Sequence, residues 1–148
     1  MSEHIDEVAA RIRTAALQDV GTYMQVLGEL WADQVEMCHV PPMPQDGQYS
    51  REQLISRQAT EVKGLAAVIP DYNQEDVAVA VVGDEIHYSA TMVGTLPDGR
   101  RYQAPVQAVI SVRGGRLSRM ETTFNPEAVA PLIDALSALG RSAVPETR

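Results

Sequence analysis

The chain has 148 residues, 45% of them hydrophobic and 22% charged, with a formal net charge of −8. That composition describes one soluble domain with a real core, and the acidity excludes a nucleic-acid surface or a polybasic membrane patch. A single cysteine, Cys38, excludes an internal disulfide and a multi-thiol metal site. No apolar run approaches the roughly 20 residues of a bilayer span. The start, Met1-Ser2-Glu3-His4, has no basic region followed by an apolar one, so no secretory signal is expected and the cytoplasm is the expected location.

In chain order, Ile5, Val8, Ala9, Ile12 and Ala16 recur at helical spacing, with Glu3, Asp6, Glu7, Arg11 and Arg13 on the other side. A second amphipathic helix starts after Asp19 with the stripe Val20, Tyr23, Met24, Leu27, Leu30 and Trp31. Val35 to His39 suits a short strand, and Val40 to Gly47 holds three prolines and a glycine that rule out helix and regular strand. Ser50 with Gln53 three residues on forms a capping box for a third helix, carrying Leu54, Ile55, Ala59, Val62, Leu65 and Ala66 to Pro70. Asp76 to Phe124 then reads as a four-strand antiparallel meander with turns at Gly83-Asp84, Leu96-Pro97-Asp98-Gly99 and Gly114-Gly115. Asn125-Pro126 caps a last helix with the stripe Val129, Leu132, Ile133, Leu136 and Leu139. Pro131 should kink or restart that helix, Gly140 should end it, and 141–148 should be a loose tail. The expected fold is α+β: a curved antiparallel sheet of four meander strands plus a short strand, covered by three helices, with a C-terminal helix, in one domain over 1–140.

This order resembles the superfamily of nuclear-transport-factor-two-like cones, which includes ketosteroid isomerases, SnoaL-like polyketide cyclases and limonene-epoxide hydrolases. Trp31-Ala32-Asp33 with Ser50-Arg51-Glu52-Gln53-Leu54 resembles the isomerase helix end and following helix start. His39-Val40-Pro41-Pro42-Met43-Pro44 resembles the epoxide-hydrolase proline stretch, and Leu96-Pro97-Asp98-Gly99 and Phe124-Asn125-Pro126 resemble patches of the SnoaL-like group. The catalytic sets do not carry over. The isomerase base falls near Cys38 or His39, its oxyanion-hole aspartate on Ala108 and its tyrosine near Ala15 or Ala16. The epoxide-hydrolase carboxylates and arginine fall on Ser89, Thr91 and Thr122.

Strand parity gives an independent picture of the pocket. Met120, Thr122 and Phe124 share one face of the last strand, and Ala104, Val106, Ala108 and Ile110 one face of the strand before it. Two readings compete for the Glu85 strand. Alternation buries Ile86, Tyr88 and Met92, whereas the register implied by the resemblance turns His87, Ser89, Thr91 and Val93 inward; the latter is preferred because the Leu-Pro-Asp-Gly turn anchors it. His39 is the leading candidate for proton transfer, against the alternative of a loop histidine bonded to a backbone carbonyl. Glu36 or Glu61 would orient it or act as an acid, and Ser89, Thr91 and Thr122 would donate to a substrate oxygen. Tyr23, Trp31, Met37, Val93, Ala104, Val106, Ala108, Met120 and Phe124 would line the ligand site. Cys38, next to His39 on a strand, points to the other face and is expected to be a buried, inert thiol.

By the resemblance the chain is expected to be an enzyme without cofactor or metal, working on a polyketide- or steroid-like molecule by acid/base proton transfer, as an isomerase or cyclase. Epoxide hydrolysis, a non-catalytic ligand-binding module and a subunit-interaction protein are the alternatives. The expected partners are a hydrophobic small molecule and a second copy bound through the outer sheet face, with no nucleic acid and no membrane.

Overall fold

A computed structural model describes residues 2–143, with the elements α1 (Ser2–Gln18), α2 (Val20–Leu30), β1 (Trp31–Val40), β2 (Gly47–Ser50), α3 (Arg51–Val68), β3 (Asn73–Val82), β4 (Glu85–Thr95), β5 (Arg101–Arg113), β6 (Arg116–Phe124) and α4 (Pro126–Ala143). The helix starts follow their caps. Asp19 accepts from the Thr22 amide at 2.7 Å, and Ser50 and Gln53 satisfy each other's backbone donors in a reciprocal box. Asn125 accepts from the Glu127 amide at 2.9 Å. Among the described residues no helix is long and apolar enough to cross a membrane.

The α+β architecture is as expected, with three corrections to the sheet. It has six strands in the order β2-β1-β6-β5-β4-β3, and it is mixed, because β1 runs parallel to β6. α2 stops at Leu30 and β1 begins at Trp31, so Trp31-Ala32-Asp33 is strand and not helix end. The segment after the prolines adds β2, an edge strand paired with β1 through Val35↔Tyr49 and Met37↔Gly47. In the last helix, neither Pro131 nor Gly140 interrupts α4, which continues to Ala143. An isolated glycine weakens a helix by about 1 kcal/mol without forcing its end. Of the expected tail, 144–148 lie outside the described residues.

Register decides which face the helices cover. Residues directly opposite in an antiparallel pair point to the same side. Ile86↔Ile110, Tyr88↔Ala108 and Met92↔Ala104 therefore share a face, and Ile86, Ile110 and Ala104 are fully buried on it. Alternation was the correct guide to β4. Ser89, Thr91 and Val93 lie on the opposite face, paired with Gln107, Pro105 and Gln103, which corrects the expectation that they line the pocket. The β3 strand begins at Asn73, earlier than its apolar run suggests, and bulges between Glu75 and Ala78, where Asp76 adopts φ 53°. The bulge restores phase: Gln74 before it and Val79 after it are both buried. Gln74 accepts from the Tyr88 hydroxyl and donates to the Ala16 carbonyl at 3.4 Å, so a buried amide joins β3 and β4 to α1.

Two apolar clusters result. The larger places Ile5, Val8, Ile12 and Ala16 of α1 and Leu27 and Leu30 of α2 on Val79, Ile86, Tyr88, Ile110 and Leu117. The smaller joins Val68 and Ile69 to Leu96, Tyr102, Ala104 and Leu132 of α4. Gly94 is where chain approaches chain most closely there: a Cβ added to it would stand 2.2 Å from Ile69 Cγ2 and 3.4 Å from the Tyr72 Cα. The Ile69 branch is fully buried and has no free rotation to yield. Gly94→Ala is therefore expected to destabilise by about 1–3 kcal/mol, read as a lowered urea midpoint. Ile69→Leu, which removes the branch at Cβ, should restore part of the loss; a Gly94→Ala protein as stable as the parent would refute this packing.

Candidate functional site

Between the two clusters the helices do not close on the sheet, and a cavity of about 690 Å³ remains. Tyr23, Met24 and Leu27 of α2 form one wall; Leu54, Gln58, Glu61 and Leu65 of α3 another; Leu132, Leu136 and Leu139 of α4 close it like a lid. Its floor is the sheet, where Met37 and His39 of β1 lie beside Met120 and Thr122 of β6. The lining is thus mostly aliphatic, aromatic and thioether, with a few polar groups gathered toward the β1–β2 end. That is the usual composition of a small-molecule site.

His39 is the centre of those polar groups. Its Nδ1 lies 2.5 Å from Asp46 Oδ1, and Asp46 Oδ2 accepts from the backbone amides of His39 at 3.0 Å and Met43 at 3.1 Å. The proline-rich segment and β2 bring the carboxylate back beside the histidine that precedes it by seven residues. A carboxylate only accepts, so Nδ1 donates to Asp46, and in the neutral ring Nε2 is the nitrogen left to accept. Phe124 meets the imidazole edge-to-face with centroids 6.0 Å apart, and Thr122 is its register partner on β6, so their side chains share a face. Asp46 and Phe124 together hold the orientation of the ring.

The His39 hydrogen bond, then the Met43 and His39 amides, hold the Asp46 carboxyl below its ordinary value of 3.8. A depressed folded-state value means that the carboxylate stabilises the loop above the ordinary value and loses that contribution as pH falls through the folded one. Acidification below about pH 4 is expected to release loop 41–46 before the core, seen as faster amide exchange at Met43 and His39. Asp46→Asn should abolish this acid step; an unchanged step would remove Asp46 as its cause.

A second polar chain braces the same loop. The Tyr49 hydroxyl donates to the Gln45 carbonyl, Arg57 Nη1 donates to that hydroxyl at 2.6 Å, and the guanidinium stacks 5.2 Å over the Tyr49 ring. Arg57 Nε also donates to Glu61 at 3.2 Å, so Glu61 lines the cavity as the half-exposed end of an i,i+4 ion pair on α3 and makes no contact with His39. Glu36 does not orient His39 either. It lies on the opposite face of β1 with Cys38, within 3.4 Å of Arg119 Nε. Cys38 is half-buried rather than buried, bonded to Glu36 and Arg119 at 3.5 Å. Burial, then the Glu36 contact, push its thiol up, which leaves it a poor nucleophile.

Of the expected lining residues, Tyr23, Met37, His39, Glu61, Met120 and Thr122 do face the cavity. Trp31 does not: it is a core residue, 1% exposed, whose Nε1 donates to Gln58 at 3.1 Å. Ala104 and Ala108 are on the expected face but packed over. Val106 and Phe124 pair on that face, outside the cavity lining. Asp46, Arg57 and Tyr49 were missed. The available signal was Asp46-Gly47, a turn pair immediately before the alternating Gln48-Tyr49, which marks a hairpin return toward His39.

No protein-family model and no curated protein matches the sequence. Solved structures do match in fold. A nuclear-transport-factor-two-like (NTF2-like) protein from Burkholderia thailandensis superposes with TM-score 0.65 at 19% identity, over 86% of this chain and 95% of that one. A candidate polyketide cyclase from Xanthomonas campestris gives 0.60 at 16%, over 88% and 97%. A protein from Catenulispora acidiphila with the ketosteroid isomerase-like fold, in complex with trimethylamine, gives 0.59 at 20%, over 90% and 97%. The chain has the NTF2-like fold.

Proposed function

We propose that this chain is a cofactor-independent enzyme that moves a proton on a hydrophobic, oxygenated small molecule, as an isomerase or a cyclase. The observation that carries the reading is the His39–Asp46 pair at the floor of an apolar cavity. Asp46 accepts a hydrogen bond from Nδ1–H, leaving Nε2 to accept a proton from a carbon next to a carbonyl. As Nε2 is protonated, the adjacent carboxylate stabilises the imidazolium, and the negative charge passes to the substrate oxygen as an enolate. Thr122, beside His39, is the nearest hydroxyl donor on that face for such an oxygen. Return of the proton to a different carbon isomerises the substrate; attack of the enolate carbon on a second carbonyl closes a ring. The low polarity of the walls strengthens each of these charge interactions.

Likeness in fold to polyketide cyclase and ketosteroid isomerase-like proteins supports the substrate class, although the chemistry rests on a histidine where those sets would supply carboxylates. Epoxide opening is less well supported, because the cavity offers one histidine dyad and no second carboxylate beside it. The direct test is solvent deuterium exchange at the α-carbon of a cyclic ketone in D2O, followed by NMR. The parent protein should accelerate exchange over buffer, and His39→Gln should not. Exchange no faster than buffer across a series of cyclic ketones and 1,3-diketones would favour a non-catalytic binding module.

A further inference from the structure

The α2–α3 pair is a wedge. At Gly28 the helices touch: a Cβ there would lie 3.5 Å from Ile55 Cγ1 and 3.9 Å from Gln58 Oε1. At Gly21, two turns earlier, no α3 atom comes within 4 Å of an added Cβ, whose one near neighbour is Asp19 Oδ1. The open end of the wedge is a second hollow of about 510 Å³, walled by Met24 and Gly28 of α2 and by Ile55, Ala59 and Val62 of α3. Ile55 is 43% exposed and lines this hollow.

Met24 and Gln58 line both this hollow and the cavity that contains His39. They are the partition between the two. Gln58 is fixed, since its carbonyl accepts from Trp31 Nε1 at 3.1 Å. Met24 is held only by an apolar fit and a 4.0 Å contact from the Gln58 amide to its sulfur, and an unbranched thioether repacks at little cost. We propose that the wedge is a second arm of the binding cavity, opened by movement of Met24, that receives the distal apolar chain of a ligand whose oxygenated end sits at His39. This rests on the cavity being a ligand site, as argued above, and adds to it that the ligand is longer than one ring system. A chain leaving the His39 end passes between α2 and α3 where they diverge, and meets Met24, Ile55, Ala59, Val62 and the two glycines there, with Gln25, Glu29, Arg51 and Lys63 also lining the hollow.

The test is a homologous series of phenyl alkyl ketones, from acetophenone to dodecanophenone, titrated into the parent protein and into two variants. In the parent, affinity should climb roughly threefold per added methylene beyond the length that fills the first cavity, and the longest members should shift the amide resonances of Gly21 and Val62. Ala59→Trp, which fills the second hollow from a position that lines only that hollow, should cost the longest ketone at least tenfold while acetophenone binds as in the parent. Val62→Glu, also on the wall of the second hollow alone, should show the same selective loss, which covers the case of an Ala59→Trp protein that does not fold. Equal losses for short and long ketones, or a parent affinity that stops rising once the first cavity is full, would overturn the second arm while leaving the first cavity as a ligand site. Failure of every member to bind would overturn both.

Discussion

His39→Gln is expected to lower turnover of a cognate substrate by roughly 10²- to 10⁴-fold, the usual contribution of a positioned general base, with little change in stability. Glutamine retains an NH donor for Asp46, so the loop keeps its anchor, but it has no nitrogen able to accept a proton. Asp46→Asn should cost less than His39→Gln. The asparagine still receives the His39 and Met43 amides, now separated at 3.0 and 3.1 Å from the carboxylate, but it no longer offsets the imidazolium charge and permits the other tautomer. The double variant should be no slower than His39→Gln alone, because the aspartate acts only through the ring. Steady-state rates of the four proteins on one ketone substrate check this. Equal rates for His39→Gln and the parent would remove the dyad from the chemistry.

Trp31→Ala carries the largest expected loss of stability, about 3–5 kcal/mol for a buried tryptophan, against a total of about 5–15 kcal/mol for a typical domain. Trp31 is 1% exposed at the first position of β1, paired in register with the fully buried Leu117 of β6. Its removal leaves a hole where α2 hands over to the sheet and leaves the Gln58 carbonyl without its donor. Trp31→Phe should keep most of the packing and lose mainly the hydrogen bond, about 1 kcal/mol. Urea unfolding of the two variants separates these terms. A Trp31→Ala protein with parental stability and weakened ligand binding would return Trp31 to the cavity wall.

The fold was legible because most of its signals are local. The Ser50–Gln53 box, the Asp19 and Asn125 caps and the glycine turns at 83, 99 and 114–115 each fix a boundary within a few residues. The parallel β1–β6 pairing was not legible, since it joins Met37 to Met120 across most of the chain and leaves no short-range mark. The start of β3 is not legible because Asn73-Gln74-Glu75 are polar, and the buried Gln74 is made acceptable only by partners on β4 and α1. On β4 the alternation of Ile86, Tyr88 and Ala90 reported the buried face correctly. A register borrowed by resemblance overrode it and placed Ser89 and Thr91 in the site.

At the site itself, His39 stood out as the one base in an apolar stretch, and Thr122 and Met120 followed from strand parity. Asp46 was hidden by its surroundings: three prolines and a glycine read as a break in structure, and a break gives no indication of where its polar residues point. Glu36 and Glu61 were nearer by sequence or helix face, yet β1 turns Glu36 to the outer surface and Arg57 holds Glu61 along α3. Partner choice among carboxylates depends on where a loop returns, and only β2 pairing with β1 settles that.

Asp46 holds His39 through Nδ1 at the wall of an apolar cavity, which leaves Nε2 as the nitrogen for a substrate. The most direct measurement is ¹⁵N NMR of the His39 ring at neutral pH, with and without a cyclic ketone. Nδ1 is expected to carry a proton bonded to Asp46, and the Nε2 resonance is expected to shift when the ketone is added. An Nδ1 without a proton, or a ring indifferent to the ketone at saturating concentration, would contradict this arrangement.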